Sequence, residues 1–186
     1  MSRPRRLPKI LSASEQACVL TQFNTRYPTP LRNLCMVRTM LEAGLRVGEA
    51  VALKPGHLDM TTCKLVVREG KGAKDRVLWI GDGLRDLIGA WLERRPESMW
   101  LFPTREGGQV QTRYVRQMVK RVARKAGVSE VERVSPHALR HTCATTLYSE
   151  TSNIRLVQKA LGHADLSTTM LYTHIIDGEL EAAMRG

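Results

Sequence analysis

The segment SPHALRH, residues 135–141, sets a histidine and an arginine three positions apart behind a Ser-Pro pair. Ser135 is a suitable N-cap, and Pro136 fits the first helical position, where its missing N–H costs nothing. His137 therefore falls in the first turn, where free backbone N–H groups and the helix dipole favour an anion. Arg140 follows one turn on, on the same side of the helix. Its planar fork can give two hydrogen bonds to phosphate oxygens while staying charged, so the two residues can address one phosphate together. The same spacing also suits a plainer outcome, with His137 capping the helix and Arg140 in a surface ion pair. His141, one residue on, reads better as a packed histidine bonded to backbone.

Three further clusters carry chemically competent residues. In EAGLRVGE, residues 42–49, Gly44 ends one helix and Arg46 stands at the turn into the next, so that it is positioned rather than dangling. A salt bridge from Arg46 to Glu49, three residues on, is the alternative use and would equally orient it. In EGKGAKD, Lys71 sits between two glycines at a hairpin tip, with Lys74 and Arg76 after it. A lysine whose pKa is lowered by neighbouring cations can act as an acid toward a leaving oxygen, while a generic polar turn is the plainer reading. In KALGHADLSTTMLYTH, Gly162 ends a helix, His163 follows, and Tyr172 comes nine residues later. A phenol with a pKa of about 10 is a poor nucleophile. Concentrated positive charge would stabilise its phenolate enough to attack phosphorus, and a half-buried core tyrosine is the alternative.

The composition agrees with an anionic partner. Among 186 residues there are 29 Lys and Arg against 18 Asp and Glu, a net charge of +11, with 42% hydrophobic residues to fill a core. Such a surface concentrates phosphates and gains from counterion release, which makes a polyanion the simplest partner. A membrane is disfavoured. No apolar run approaches the ~20 residues of a bilayer span, and MSRPRRLPKI has no apolar stretch behind its basic residues to make a signal peptide. Cys18, Cys35, Cys63 and Cys143 are scattered without a C-x-x-C pair, which suggests reduced structural thiols in a cytoplasmic protein and argues against a zinc site.

The elements that must position these residues are mostly helical. A basic arm over residues 1–11 precedes a helix capped at Ser12 or Ser14 that runs through Gln16 to Phe23, where TRYPTP breaks it. Leu34, Val37, Met40 and Leu41 recur at helical spacing up to Gly44, and a third helix starts in VGEAVAL. CKLVVR at 63–68 and RVLWI at 76–80 read as a β-hairpin, and LFP at 101–103 as a third strand. From Arg113 to Lys125 a helix carries Arg113, Arg116, Lys120, Arg121, Arg124 and Lys125 with no acidic residue, while Val115, Met118, Val119 and Val122 mark its inner side. That basic side is a candidate nucleic-acid face, with Arg116 and Lys120 the foremost contacts; a merely solvated face is the alternative. A helix follows Pro136, another spans 154–161, a turn covers Ser167–Tyr172, and a last, acidic helix starts at Asp177. The expected fold is mainly α, an α+β domain with a small antiparallel sheet of about three strands.

Taken in order, GLRVGE, GKGAKDR, SPHALRH, LGH and the tyrosine after it resemble the tyrosine recombinases, or phage integrase family, and the likeness runs from LPKILS to the last helix. The individual motifs are weak, but five in order and at the right spacing are specific. The resemblance implies a helical recombinase catalytic domain in which Arg46 and Arg140 clamp a DNA phosphate. His137 would complete the H-x-x-R motif, Lys71 would be the hairpin lysine, His163 the next active-site histidine and Tyr172 the nucleophile. Glu49 would support Arg46. Lys74, Arg76, Arg116 and Lys120 would bind DNA. The implied reaction is cleavage and rejoining of DNA strands by transesterification through a 3′-phosphotyrosyl bond, with no cofactor and no metal. The implied partner is double-stranded DNA, with a homotetramer on DNA in the recombination complex and a monomer in isolation, and the implied place is the nucleoid in the cytoplasm.

One departure stands out. Family members usually carry a helical core-binding domain ahead of the catalytic one, and only about a dozen residues precede the first helix, so the expectation is a single catalytic domain over 1–186 with the helix at 177–186 able to dock on a neighbour. Gly48 stands where the family often has serine. A non-catalytic DNA-binding module with the same fold is the competing class. A metal hydrolase built on His137, His141 and His163 ranks last, because no carboxylate sits at a matching spacing.

Overall fold

The computed structural model describes residues 8–68 and 75–162. The last residues of the basic arm are docked on the body of the protein. Leu11 is buried and its N–H donates to Thr142 Oγ1 at 3.0 Å. Helix α1, Ala13–Leu20, starts with a reciprocal cap in which Ser12 Oγ accepts from the Glu15 N–H and Glu15 accepts from the Ser12 N–H. Glu15 also takes Lys9 and Ser129, pinning the end of the arm to the distant Ser129.

Helix α1 stops at Leu20, short of the Phe23 expected, and TRYPTP instead leads into the next helix. Helix α2, Pro28–Glu42, has prolines in its first turn, where the absent N–H groups would have had no partners. This helix runs through the core: Leu31, Cys35, Met36, Val37 and Met40 are each no more than 2% exposed. Its buried polar groups are satisfied, with Arg32 donating to Pro103 O and Asn33 Oδ1, and Asn33 donating to Tyr114 Oη.

After the short helix α3, Val47–Ala52, comes a three-stranded antiparallel sheet ordered β1-β2-β3, namely Leu58–Asp59, Lys64–Val67 and Arg76–Trp79. The register pairs Val67 with Arg76 and Lys64 with Trp79, so β2 and β3 are the two arms of the hairpin expected around 69–74. A mainly α fold with a small antiparallel sheet is thus what the chain adopts, but the third strand is not LFP. Leu58–Asp59 fills that place, and Leu101 and Phe102 are plugs in the core, each 1% exposed. Leu101 is held there by its N–H on Leu53 O and its carbonyl on Trp91 Nε1, and Pro103, which has no N–H to offer a ladder, makes only an isolated bridge to Gln109.

Helix α4, Asp82–Leu92, was not anticipated, because its glycines weaken the local signal. Leu84, Ile88 and Trp91, at helical spacing, are its buried face. Helix α5, Thr112–Lys125, buries Val115, Met118, Val119 and Ala123 and turns its arginines outward. Helices α6, Pro136–Thr151, and α7, Ile154–Leu161, close the described body: α6 packs on α2, and α7 on α6 and β3. No helix among the described residues is long and apolar enough to cross a membrane.

Candidate active site

Gly44 decides how the first arginine is presented. It adopts φ +63°, and a Cβ there would lie 2.7 Å from Leu161 Cδ2 and 3.1 Å from Cys143 Sγ, so only glycine lets the end of α2 meet α6 and α7. Two residues later Arg46 is the N-cap of α3, with extended backbone angles. Its N–H donates to Glu49 Oε2 at 2.6 Å and its Nη1 to Glu49 Oε1 at 2.8 Å. The salt bridge to Glu49 is therefore present, and it orients the arginine.

Ser135 caps α6 by accepting from the Ala138 N–H, and Pro136 takes the first helical position. His137 is exposed on the first turn. Arg140 is 4% exposed, which excludes a surface ion pair: its Nη1 donates to Gly44 O, its Nη2 to Leu161 O, and Nη1 lies 3.9 Å from Glu49 Oε2. The guanidiniums of 46 and 140 thus meet at one carboxylate. His141 is half-buried, and burial together with the neighbouring His137 and Arg140 pushes its imidazole pKa down to about 4.

Arg76 requires a correction. Expected as a DNA contact, it is 8% exposed and faces inward. Its Nη1 and Nη2 donate to Glu49 Oε1 and Oε2 at 2.9 and 2.8 Å, and its Nε donates to Ala160 O at 3.0 Å. The reason is strand alternation: residues 76, 78 and 80 share the buried face of β3. That signal was present in the sequence, as an arginine in phase with Leu78 and Ile80.

Three arginines consequently hold three successive carbonyls at the C-terminal end of α7. Arg76 takes Ala160, Arg140 takes Leu161, and Arg46 takes Gly162 at 3.3 Å. The last carbonyls of a helix have no partner within it and sit at the negative end of its dipole, so cations are stabilised there. Burial alone would raise the Glu49 carboxyl pKa, but hydrogen bonds and charge from Arg76 and hydrogen bonds from Arg46 outweigh it and hold it below the usual carboxylate range. An ionised Glu49 is the common anchor of the cluster.

On α5, Arg116 is exposed and lines a groove with Lys120, Arg121 and Arg124 that reaches Ser135 at the start of α6. Lys120 and Arg124 both pair with Glu132, at 2.8 and 3.0 Å. Lys71, Lys74, His163 and Tyr172 lie outside the described residues, as do the turn over 167–172 and the acidic helix at 177–186. Among the described residues no three His, Cys, Asp or Glu side chains are grouped so as to hold a metal ion.

In this chain a helical domain with a small sheet brings arginines together from a turn, a strand and a helix, and the chain belongs to the phage integrase family, whose sequence model matches residues 6–179. Among curated relatives, the chain is 42% identical over 184 residues to the tyrosine recombinase XerA of Thermococcus kodakarensis, covering 97% of this chain and 63% of the relative. It is 36% identical over 181 residues to the tyrosine recombinase XerD of Caulobacter vibrioides, covering 92% of this chain and 59% of the relative. The chain therefore spans less than two thirds of the length of these relatives. Among solved structures, a crystal structure of XerA recombinase superposes with a TM-score of 0.84 at 30% identity, covering 97% of this chain and 65% of that one. The XerH site-specific recombinase bound to its palindromic difH substrate in a post-cleavage complex superposes with a TM-score of 0.83 at 30% identity, covering 96% and 53%.

Proposed function

We propose that this chain is the catalytic domain of a site-specific DNA recombinase, acting on double-stranded DNA in the nucleoid and assembling as a homotetramer on its target. The observation that supports this reading is the meeting of Arg46 and Arg140 at Glu49, two guanidiniums more than ninety residues apart in sequence brought to one carboxylate. A phosphoryl-transfer transition state spreads negative charge over the non-bridging oxygens, and placed cations supply most of its stabilisation.

In the proposed step the Tyr172 phenol oxygen attacks the scissile phosphorus while the bond from phosphorus to the 5′-oxygen breaks. The phenol proton passes to a histidine, His137 or His163, and Lys71 gives a proton to the departing 5′-oxygen. One phosphodiester replaces another, so no external energy source or cofactor is needed, and a second 5′-hydroxyl reverses the step to rejoin the strand. Arg46 and Arg140 bind the non-bridging oxygens. The α5 face, with Arg116 and Lys120, tracks the DNA backbone on the way to His137, and Lys74 on the hairpin adds a further contact.

Incubation with a duplex nicked next to the cleavage point traps the covalent complex, which a denaturing gel resolves. An adduct from the wild type, lost in Tyr172→Phe with DNA binding retained and unaffected by EDTA, is the expected result. Specific binding without an adduct on a cognate site would overturn it in favour of a non-catalytic DNA-binding module.

A further inference from the structure

We propose that Arg76 is a positioning residue for phosphoryl transfer, holding the Arg46 and Arg140 pair in register through Glu49 and the end of α7; this rests on the function proposed above. Arg76 is the first residue of β3, and its side chain leaves the strand inward toward the arginine cluster. Its fork meets both Glu49 oxygens in parallel, at 2.9 and 2.8 Å. Each of those oxygens also accepts from Arg46, Oε1 from Nη1 and Oε2 from the backbone N–H. The Glu49 carboxylate is thus fixed in its plane by a bidentate partner on one hand and by Arg46 on the other, and Arg140 approaches the same oxygen, Oε2.

The third nitrogen of Arg76 completes the device. Nε holds Ala160 O, one residue before the carbonyl that Arg140 holds and two before the one Arg46 holds. Arg76 therefore ties β3, the arginine turn and the last turn of α7 together with one rigid plane. A lysine could supply the charge but not the planar geometry, and could not serve Glu49 twice while also reaching Ala160. Without Arg76, Glu49 would keep Arg46 but lose its planar restraint, and the two phosphate-binding guanidiniums would lose their fixed separation. Geometry looser by about 1 Å costs on the order of 100-fold in rate when electrostatic placement carries the catalysis.

The test measures single-turnover adduct formation at saturating nicked duplex for the wild type, Arg76→Lys, Arg76→Gln, Glu49→Gln and the double variant Arg76→Gln with Glu49→Gln. Both Arg76 variants are expected to form adduct about 100-fold more slowly, with DNA affinity changed less than about threefold. The double variant should be no slower than Glu49→Gln alone, because the two residues act as one unit. A duplex with a methylphosphonate at the scissile position, which lacks one of the negative charges the guanidiniums neutralise, should narrow the Arg76 deficit by about tenfold. A deficit of equal size on both duplexes, or full activity in Arg76→Lys, would overturn the role. For variants that do not fold, ¹⁵N spectra of the wild type decide: separate, slowly rotating Nη resonances for Arg76 that persist when DNA is added are expected, and their loss on binding would refute it. Failure of the wild type to form any adduct on its cognate duplex is a different result, which removes the functional reading and the role with it.

Discussion

Glu49→Gln changes one charge and almost no shape, and its consequence can be worked from the contacts. Glu49 and Arg76 form a pair with side chains 10% and 7% exposed. Removing one member of a buried pair leaves the other charge uncompensated, a loss of about 3–5 kcal/mol. The glutamine carbonyl still accepts from a guanidinium, which returns about 1 kcal/mol. The net expectation is a destabilisation of about 2–4 kcal/mol, which for a chain of this length lowers the melting temperature by roughly 5–15 °C. Calorimetry in a low-phosphate buffer reads this directly. The difference also has a pH signature. The folded Glu49 pKa lies below its ordinary 4.5, so the ionised carboxylate stabilises the protein fully above that value, and the contribution fades as pH falls through the lower folded pKa. The wild type and the variant should therefore draw together as pH falls from 4.5 through the lower folded pKa. Added sulfate should recover part of the loss, since an anion bound among the guanidiniums replaces the missing charge. A melting temperature within about 2 °C of wild type at neutral pH would refute the account of Glu49 as the shared anchor.

Gly44→Ala should destabilise by about 2–4 kcal/mol in thermal melts, summing left-handed strain with overpacking against Leu161 and Cys143. His141 has its pKa depressed from 6.5 to about 4, so the unfolded chain binds more protons between those values. Stability should fall on the order of 2 kcal/mol as pH drops from 7 to 4, and His141→Gln should flatten that part of the melting profile. Arg116, exposed on α5, should contribute one phosphate contact: Arg116→Gln is expected to lower the slope of log affinity against log salt by about 1, measured by fluorescence anisotropy, with little change in the rate of adduct formation once DNA saturates.

The local chemistry of this protein was legible in its residues. Ser135 and Pro136 mark the start of α6, the β-branched runs on either side of residues 69–74 mark the hairpin, and the acid-free stripe from Arg113 marks the outward face of α5. Each of these depends on contacts within a few positions of one another, where helical and strand periodicity apply. The order of the motifs was enough to name the family. What the sequence alone left open is where the guanidiniums point. Arg46 reaches a carbonyl 116 positions away, Arg140 one 96 positions away, and Arg76 a carboxylate 27 positions away. The tertiary fold turned Arg76 inward, separated the buried Arg140 from the exposed His137, and put LFP into the core in place of a third strand. A buried cation is stable only where partners from other segments neutralise it and satisfy its donors, and packing α7 and β3 against the Gly44 turn is what brings Glu49 and the last carbonyls of α7 to that place.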